Sequence, residues 1–367
     1  MSQEIDVETL TGWLAQGKPV TVLDVRPAHE HGAWWIPGSR HVDAYDALKA
    51  GSLGPLLDES LPTDRPVVTV CNLGRASMKA AELLSEQRGI PALTLRGGMK
   101  AWSVAWNTAS CSFGPLEITQ VRRTGKGCLS YLIRAEGEAA VIDASVDPKV
   151  YVSLANRDGA DIRYVLDTHI HADHLSRSRR LAGMSGAELM LSRQNRVSYP
   201  HKSIAGGDRL PLGSTWIEVL ATPGHTDESV TYLIPHVGLF SGDTLFLNGV
   251  GRPDLHASRE EMEIRARLLF KSLGQLTSLD PRLLVFPGHT SAPVSFNERV
   301  LTAPLGEVRS RLGSWLSSEE EFVNRVLARI PETPPNYAAI TGINESGDWP
   351  ESDPTDLEAG ANRCAIS

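Results

Sequence analysis

The sequence predicts an α/β protein of two units followed by a helical C-terminal extension. Three observations lead there. Residues 1–107 alternate short β-branched runs with helical stretches, as expected of a parallel sheet flanked by helices. Residues 116–345 carry short apolar strands, several of which end in histidine or aspartate. From Val308 onward the pattern is helical.

The chain has 367 residues, enough for two or three domains with their own cores. Hydrophobic residues make up 41% and charged residues 22%, values of an ordinary globular protein. A net charge of −8 argues against nucleic acid or an anionic membrane surface as partner. No apolar run is long enough to span a bilayer, and Met1–Asp6 lacks the basic and apolar regions of a signal peptide. Cys71, Cys111, Cys128 and Cys364 are scattered without ligand spacing, which fits thiols in a reducing cytoplasm. Homo-oligomerisation is left open.

In the first unit, the run Val20–Leu23 leads into Asp24-Val25-Arg26, and Pro66–Val70 ends at Cys71. The loop Cys71, Asn72, Leu73, Gly74, Arg75, Ala76 follows, and Ser77 is expected to open a helix through Leu84. Pro91–Leu95 is a further strand, closed by Gly97-Gly98. Backbone N–H groups and a helix dipole at such a loop favour an anion, so Cys71 could carry a persulfide. The plainer alternative is a buried, inert thiol. A Cys-x5-Arg phosphatase is excluded, because Ser77 stands where the arginine is needed.

Leu23–Arg26, Ile36-Pro37-Gly38-Ser39, the Cys71 loop and Gly97-Gly98-Met99-Lys100-Ala101-Trp102 together resemble a single rhodanese domain. The resemblance implies a sulfurtransferase whose sulfur rides on Cys71, with Arg75 as a further catalytic residue. The family's loop usually ends in arginine where this chain has Ala76.

Residues 108–115 are small and polar and end in Gly114-Pro115, so they read as a linker with Cys111 a surface bystander. Strands then follow at Ile118–Arg122, Leu129–Arg134 and Ala139–Asp143, with Cys128 read as packing and a helix after Asp147-Pro148. The strand Tyr164–Leu166 delivers Thr168-His169-Ile170-His171-Ala172-Asp173-His174, and a helix through Ala182 is expected to hold Asp173 and His174 in its first turn. Three imidazoles and a carboxylate at a strand end are costly as unpaired core, but they suit a borderline metal ion. Further donors recur after later strands: His225 in Thr222–Thr226, Asp243 after Gly242, and His289 in Pro287-Gly288-His289. Strand C-terminal ends are where open sheets place their sites.

Two metal counts fit this set. A pair would use His169, His171 and His225 for one ion, Asp173, His174 and His289 for the other, and Asp243 as bridge. A single ion would use His169, His225 and Asp243, a two-His-one-carboxylate face suited to Fe(II) and O2. Spacing alone does not separate them.

In this order the motifs resemble the metallo-β-lactamase superfamily over roughly Leu116 to Ala303, which implies an αββα sandwich. Asp173-His174 together with Gly251-Arg252-Pro253-Asp254-Leu255 looks like its persulfide dioxygenase branch. That likeness implies one Fe(II) per chain on His169, His225 and Asp243, with His171, Asp173, His174 and His289 as a second site or as supports. It implies a small thiol persulfide, such as glutathione persulfide, and O2 as substrates, and sulfite as product, with thiosulfate formed through Cys71. Asp173 is then catalytic, Arg252 holds the anionic substrate, and Asp254 orients Arg252. These enzymes commonly carry a tyrosine where this chain has Ser291. The alternatives are a thioester hydrolase resembling glyoxalase II with two Zn(II) per chain, and a sulfur-carrier or redox-sensing module.

In the extension, Ser318–Glu321 reads as a capping box, with Phe322, Val323, Val326, Leu327 and Ile330 as a buried stripe. Ile330–Pro335 is expected to wrap over the sandwich in extended form. Residues 346–367 are acidic and poor in large apolar side chains, so disorder is expected.

Overall fold

The computed structural model describes residues 4–366. The N-terminal unit is a five-stranded parallel sheet in the order Glu4–Ile5, Ala92–Leu95, Val67–Val70, Thr21–Asp24, Arg40–His41. Its central strands are buried on both faces, which is why they read as continuous apolar runs. One face packs the helix Arg75–Arg88 through Ala80, Ala81 and Leu84; the other packs Leu10 and Trp102.

Two further sheets lie face to face. The seven-stranded sheet runs from Lys202–Ile204 through Glu188–Ser192, Asp161–Leu166, Glu138–Ile142, Cys128–Ala135 and Leu116–Arg123 to Asn107–Phe113. The six-stranded sheet runs from Arg209–Leu212 through Thr215–Ala221, Val230–Ile234, Gly238–Gly242 and Leu284–Pro287 to Ala303–Pro304. Tyr131, Leu166, Val219, Tyr232, Phe240 and Phe286 fill the space between them. Phe240 stacks on Phe286 at 4.8 Å, and Tyr131 meets Phe240 edge-on at 4.9 Å. On the outer faces, Pro148–Arg157 and Ser178–Ser185 cover one sheet, while Arg259–Thr277 and Glu319–Leu327 cover the other. The result is an αββα sandwich behind an αβα unit. Among the described residues no helix is long and apolar enough to cross a membrane.

Four expectations are corrected. The linker is a strand: Asn107–Phe113 pairs antiparallel with all of Leu116–Arg123 but its last residue, through a hairpin turned at Gly114 in the left-handed region. Small polar residues at a sheet edge carry no apolar alternation to separate them from a linker, and Cys111 is half-buried against the core. The helix expected from Leu175 begins at Ser178, so Asp173 and His174 sit in an irregular loop. That loop is held from outside: Asn344 Nδ2 donates to the His171 and His174 carbonyls at 2.8 and 2.9 Å, and Leu175 N–H donates to Glu358 at 2.6 Å. The helix after Cys71 opens at Arg75, not Ser77, with Gly74 as its left-handed N-cap. The expected disordered tail is ordered through Ile366: Thr355–Glu358 is a helical turn, and Ala365–Ile366 pairs with Val250–Gly251. Few large apolar residues are needed there, because buried charges and backbone bonds anchor it.

The reciprocal capping box lies at Ser258 and Glu261, heading Arg259–Thr277. Ser318 does cap Glu319–Leu327, accepting from Glu321 N–H at 3.4 Å. Pro331 and Glu332 lie outside any helix or strand, and both carbonyls accept from Arg252.

Candidate functional site

Cys71 ends the strand Val67–Val70 and points its sulfur into the N-terminus of Arg75–Arg88. Gly74 N–H, Ser77 N–H and Ser77 Oγ–H point at Sγ, from 3.2, 3.4 and 3.4 Å. Such donors stabilise negative sulfur, whether thiolate or persulfide. The loop is braced from behind, since Met99 and Lys100 N–H bond the Cys71 and Asn72 carbonyls. Asn72 Nδ2 is tied to Glu30 at 2.7 Å, while Leu73 and Arg75 form an exposed rim. Ala76 belongs to the first helical turn and is half-buried.

The second group gathers at the strand ends of the sandwich. His169, His225 and Asp243 are all buried, and their donor atoms lie within 4.8 Å of one another. His225 Nε2 is 3.6 Å and His169 Nε2 3.9 Å from Asp243 Oδ2. Neither His169 Nε2 nor Asp243 Oδ2 has a hydrogen-bond partner, an expensive state for buried polar atoms. The far sides of both rings are engaged. His225 Nδ1–H donates to the Arg252 carbonyl at 2.7 Å, and His169 Nδ1 lies 2.9 Å from Thr168 Oγ1. His225 thereby presents Nε2 as a lone pair towards the carboxylate. Burial first, then the neighbouring His171, holds His169 well below the ordinary histidine range, so it is neutral. Burial opposes ionisation of Asp243, but the charge and hydrogen bond of His289 win and keep it a carboxylate. Two imidazoles and one carboxylate, with His169 Nε2 and Asp243 Oδ2 unpartnered, fit a divalent transition metal.

The remaining donors are partly engaged elsewhere, and His171 Nδ1 and His174 Nε2 are also buried without a hydrogen-bond partner. His171 Nε2 contacts Asp143 Oδ1 at 3.2 Å, in a separate group with Asp143 and Asp167. His289 lies between two carboxylates, with Nδ1 2.6 Å from Asp243 Oδ1 and Nε2 2.8 Å from Asp173 Oδ2, so both nitrogens carry protons. Asp173 also meets His174 Nδ1 at 3.0 Å. Close backbone approach makes this possible. A Cβ on Gly288 would stand 2.7 Å from Asp243 Oδ1, and one on Gly242 would stand 2.4 Å from Thr168 Oγ1.

Arg252 is not free to hold a substrate, contrary to expectation. Its side chain is fully buried and its donors are spent: two on Asp254, at 2.8 and 2.7 Å, and the others on the Pro331, Glu332 and Arg363 carbonyls. Asp254 does orient it. Arg252 is a positioning residue that clamps the extension beside His225.

Sequence reasoning missed Asp143, Cys128, Asn344, Glu358, Asn362 and Cys364. Asp143 caps Thr168 through N–H and Oγ1 at 2.7 and 2.9 Å. Cys128 Sγ–H donates to Asp173 at 3.4 Å. Burial would raise this thiol, but His174 outweighs burial and brings it down to about 7. Asn362 Nδ2 donates to Asp173 Oδ2 at 2.8 Å. Only Asp143, at a strand end like the other donors, had a signal that could have found it.

Two packed β-sheets with buried His and Asp donors at their strand ends define a class, the αββα metalloproteins. Residues 123–289 match the Metallo-beta-lactamase superfamily and residues 6–105 the Rhodanese-like domain. Hydroxyacylglutathione hydrolase of Anaeromyxobacter dehalogenans is 36% identical over 194 residues, covering 52% of this chain and 72% of that protein. The human hydroxyacylglutathione hydrolase-like protein is 31% identical over 187 residues, 48% of this chain and 60% of its own length. ETHE1 from Myxococcus xanthus superposes with a TM-score of 0.55 at 27% identity, over 63% of this chain and 98% of that one. A metallo-beta-lactamase from Staphylococcus aureus gives 0.57 at 29%, over 66% and 74%. The chain belongs to the metallo-β-lactamase superfamily and carries a rhodanese-like domain ahead of the sandwich.

Proposed function

We propose that the chain oxidises a low-molecular-weight thiol persulfide, such as glutathione persulfide, with O2 at a single Fe(II), and passes sulfane sulfur through Cys71. Persulfide, O2 and water give the free thiol, sulfite and two protons. The observation that carries this reading is the trio of His169, His225 and Asp243, whose donor atoms lie within 4.8 Å of one another, with His169 Nε2 and Asp243 Oδ2 unpartnered. Iron held there would keep open positions for substrate and O2. The chain's own part is to fix the His225 tautomer through Arg252 and keep Asp243 anionic. The rhodanese-like domain supports the reading, since both halves would handle the same sulfur.

A second reading, a thioester hydrolase with two Zn(II), is favoured by the names of the curated relatives. It requires His289 to give up a proton held between two carboxylates, while His171 Nδ1 and His174 Nε2 are already buried and unpartnered. Bound metal and oxygen uptake separate the two. The anaerobically iron-loaded protein should hold about one iron per chain and consume O2 with glutathione persulfide. Two zinc ions per chain, hydroxyacylglutathione hydrolysis and no oxygen uptake would sink the dioxygenase reading.

Cys71→Ser removes the sulfur carrier, because a hydroxyl is not ionised near neutral pH. Sulfur transfer from thiosulfate to cyanide should vanish in this variant, while oxygen uptake stays within a few-fold of wild type. With persulfide and O2, wild type should yield sulfite and thiosulfate, the latter from sulfite taking the outer sulfur of the Cys71 persulfide. The variant should yield mainly sulfite. An unchanged product ratio would mean two uncoupled activities on one chain.

A further inference from the structure

A cavity of about 180 Å3 lies beside His289, and Ser291 is part of its lining. Two stretches of chain tie it to the trio. Pro287 and His289 flank Gly288, where a Cβ would stand 2.7 Å from Asp243 Oδ1, and His289 Nδ1 is itself 2.6 Å from that oxygen. Phe246–Gly249, another wall, is the loop that follows Asp243-Thr244-Leu245. A different cavity touches His169 and His171, but its volume of about 20 Å3 holds roughly one water molecule. The body of a substrate therefore has room beside His289 and none beside His169. Among the described residues, the lining offers this body no free cation. Leu129, Phe246, Leu247, Pro287 and Leu301 are apolar walls, and Ala365 closes one side. Gly249, Asn248, Thr290 and Ser291 are neutral, and the two N–H groups of His289 are spent on Asp243 and Asp173. Arg252 is spent on Asp254 and three carbonyls. Arg311, which bonds the Leu247 carbonyl, is paired with Glu307 at 3.0 Å.

We infer that the preferred substrate is a persulfide whose carbon body is small, uncharged and largely apolar, and that this body sits in the cavity beside His289. The inference rests on the persulfide reading and narrows its substrate. Glutathione persulfide is turned over, but poorly, for two reasons. Its two carboxylates and ammonium group would lose water against walls that return no opposite charge. A ligand of its size also fills a pocket of about 300–1,000 Å3, more than is present. An alkyl body instead gains by leaving water against Phe246 and the three leucines.

Oxygen uptake by the iron-loaded, full-length protein tests this with the persulfides of 1-propanethiol, mercaptoacetate and glutathione. The propyl compound should show a kcat/KM at least tenfold above the other two, and the mercaptoacetate arm separates charge from size. An equal or higher kcat/KM with glutathione persulfide would overturn the inference. Ser291→Arg sets a cation at the exposed rim and should raise the ratio of mercaptoacetate to propyl persulfide at least several-fold. The ratio is read within one preparation, so folded fraction and iron content cancel, and an unchanged ratio would remove the substrate body from this cavity. Binding without turnover gives a second readout. In ligand-observed NMR, methyl propyl sulfide should bind the protein with a Kd at least tenfold below that of S-methylglutathione, with NOEs to the Leu247 and Leu301 methyls. Tighter binding of S-methylglutathione, or no NOE to these leucines, would overturn the inference. No oxygen uptake with any of the three persulfides would instead sink the persulfide reading, while the preference of the cavity still stands or falls on the sulfide titration.

Discussion

Asp243→Ala is expected to empty the candidate metal centre. Asp243 is the one carboxylate of the trio, and it also accepts from His289 Nδ1 at 2.6 Å. Removing it takes away the anion that offsets a divalent cation and leaves protonated His289 facing the remaining imidazoles. Loss of an outer partner of a ligand typically costs roughly 10–100-fold in metal affinity, and loss of a ligand should exceed that. Elemental analysis after dialysis should find almost no iron, and oxygen uptake should disappear. Transfer of sulfur from thiosulfate to cyanide should persist, because the Cys71 cradle is built within the other domain. Stoichiometric iron in this variant would remove Asp243 from the ligand set.

Glu358→Gln is expected to be the most destabilising single change in the C-terminal segment, residues 347–366. The Glu358 carboxylate is fully buried. It accepts from Arg123 Nη2 at 2.9 Å, from both terminal nitrogens of Arg177, and from Leu175 N–H. The amide keeps the volume but leaves two buried guanidinium groups without their anion. Breaking a buried pair by removing one partner costs about 3–5 kcal/mol. The urea midpoint should fall accordingly, and the chain beyond Gly347 should become sensitive to protease. Unchanged values for both would show that Arg123 and Arg177 do not depend on this carboxylate. The same group sets an acid limit. Burial favours its neutral form, yet Arg123 and Arg177 prevail and hold it well below its ordinary 4.5. A depressed carboxyl stabilises the fold above its unfolded value, and that contribution is lost as pH falls below 4.5. Wild type should therefore lose stability below that pH more steeply than Glu358→Gln.

The C-terminal segment, residues 347–366, also links the two halves of the molecule. Asp356 is ion-paired with Lys100, whose backbone N–H supports the Cys71 loop, while Glu358 and Asn362 reach the histidine loop. Arg123 joins in by bonding both Ser103 of the first domain and Glu358.

The sequence by itself determined both folds and the pool of His and Asp donors at the strand ends. Each donor is tied to a local signal: an apolar strand that ends in His or Asp, and a glycine that lets two backbones approach. Those signals are short-range, so spacing along the chain was enough to put His169, His225, Asp243 and Cys71 at strand ends, and not enough to separate them from the other donors. Which donors share an atom-to-atom neighbourhood was decided only by the tertiary structure. His171 and His289 read as ligands equal to the others; His171 turns Nε2 to Asp143 and leaves Nδ1 unpartnered, while His289 lies between two carboxylates. Arg252 read as a free cation, because nothing local shows that its donors are consumed by carbonyls about 80 and 111 residues away. The tail read as disordered for the same reason. Its order comes from one buried glutamate, two asparagines and a clamp of backbone bonds, all long-range, which neither composition nor periodicity records.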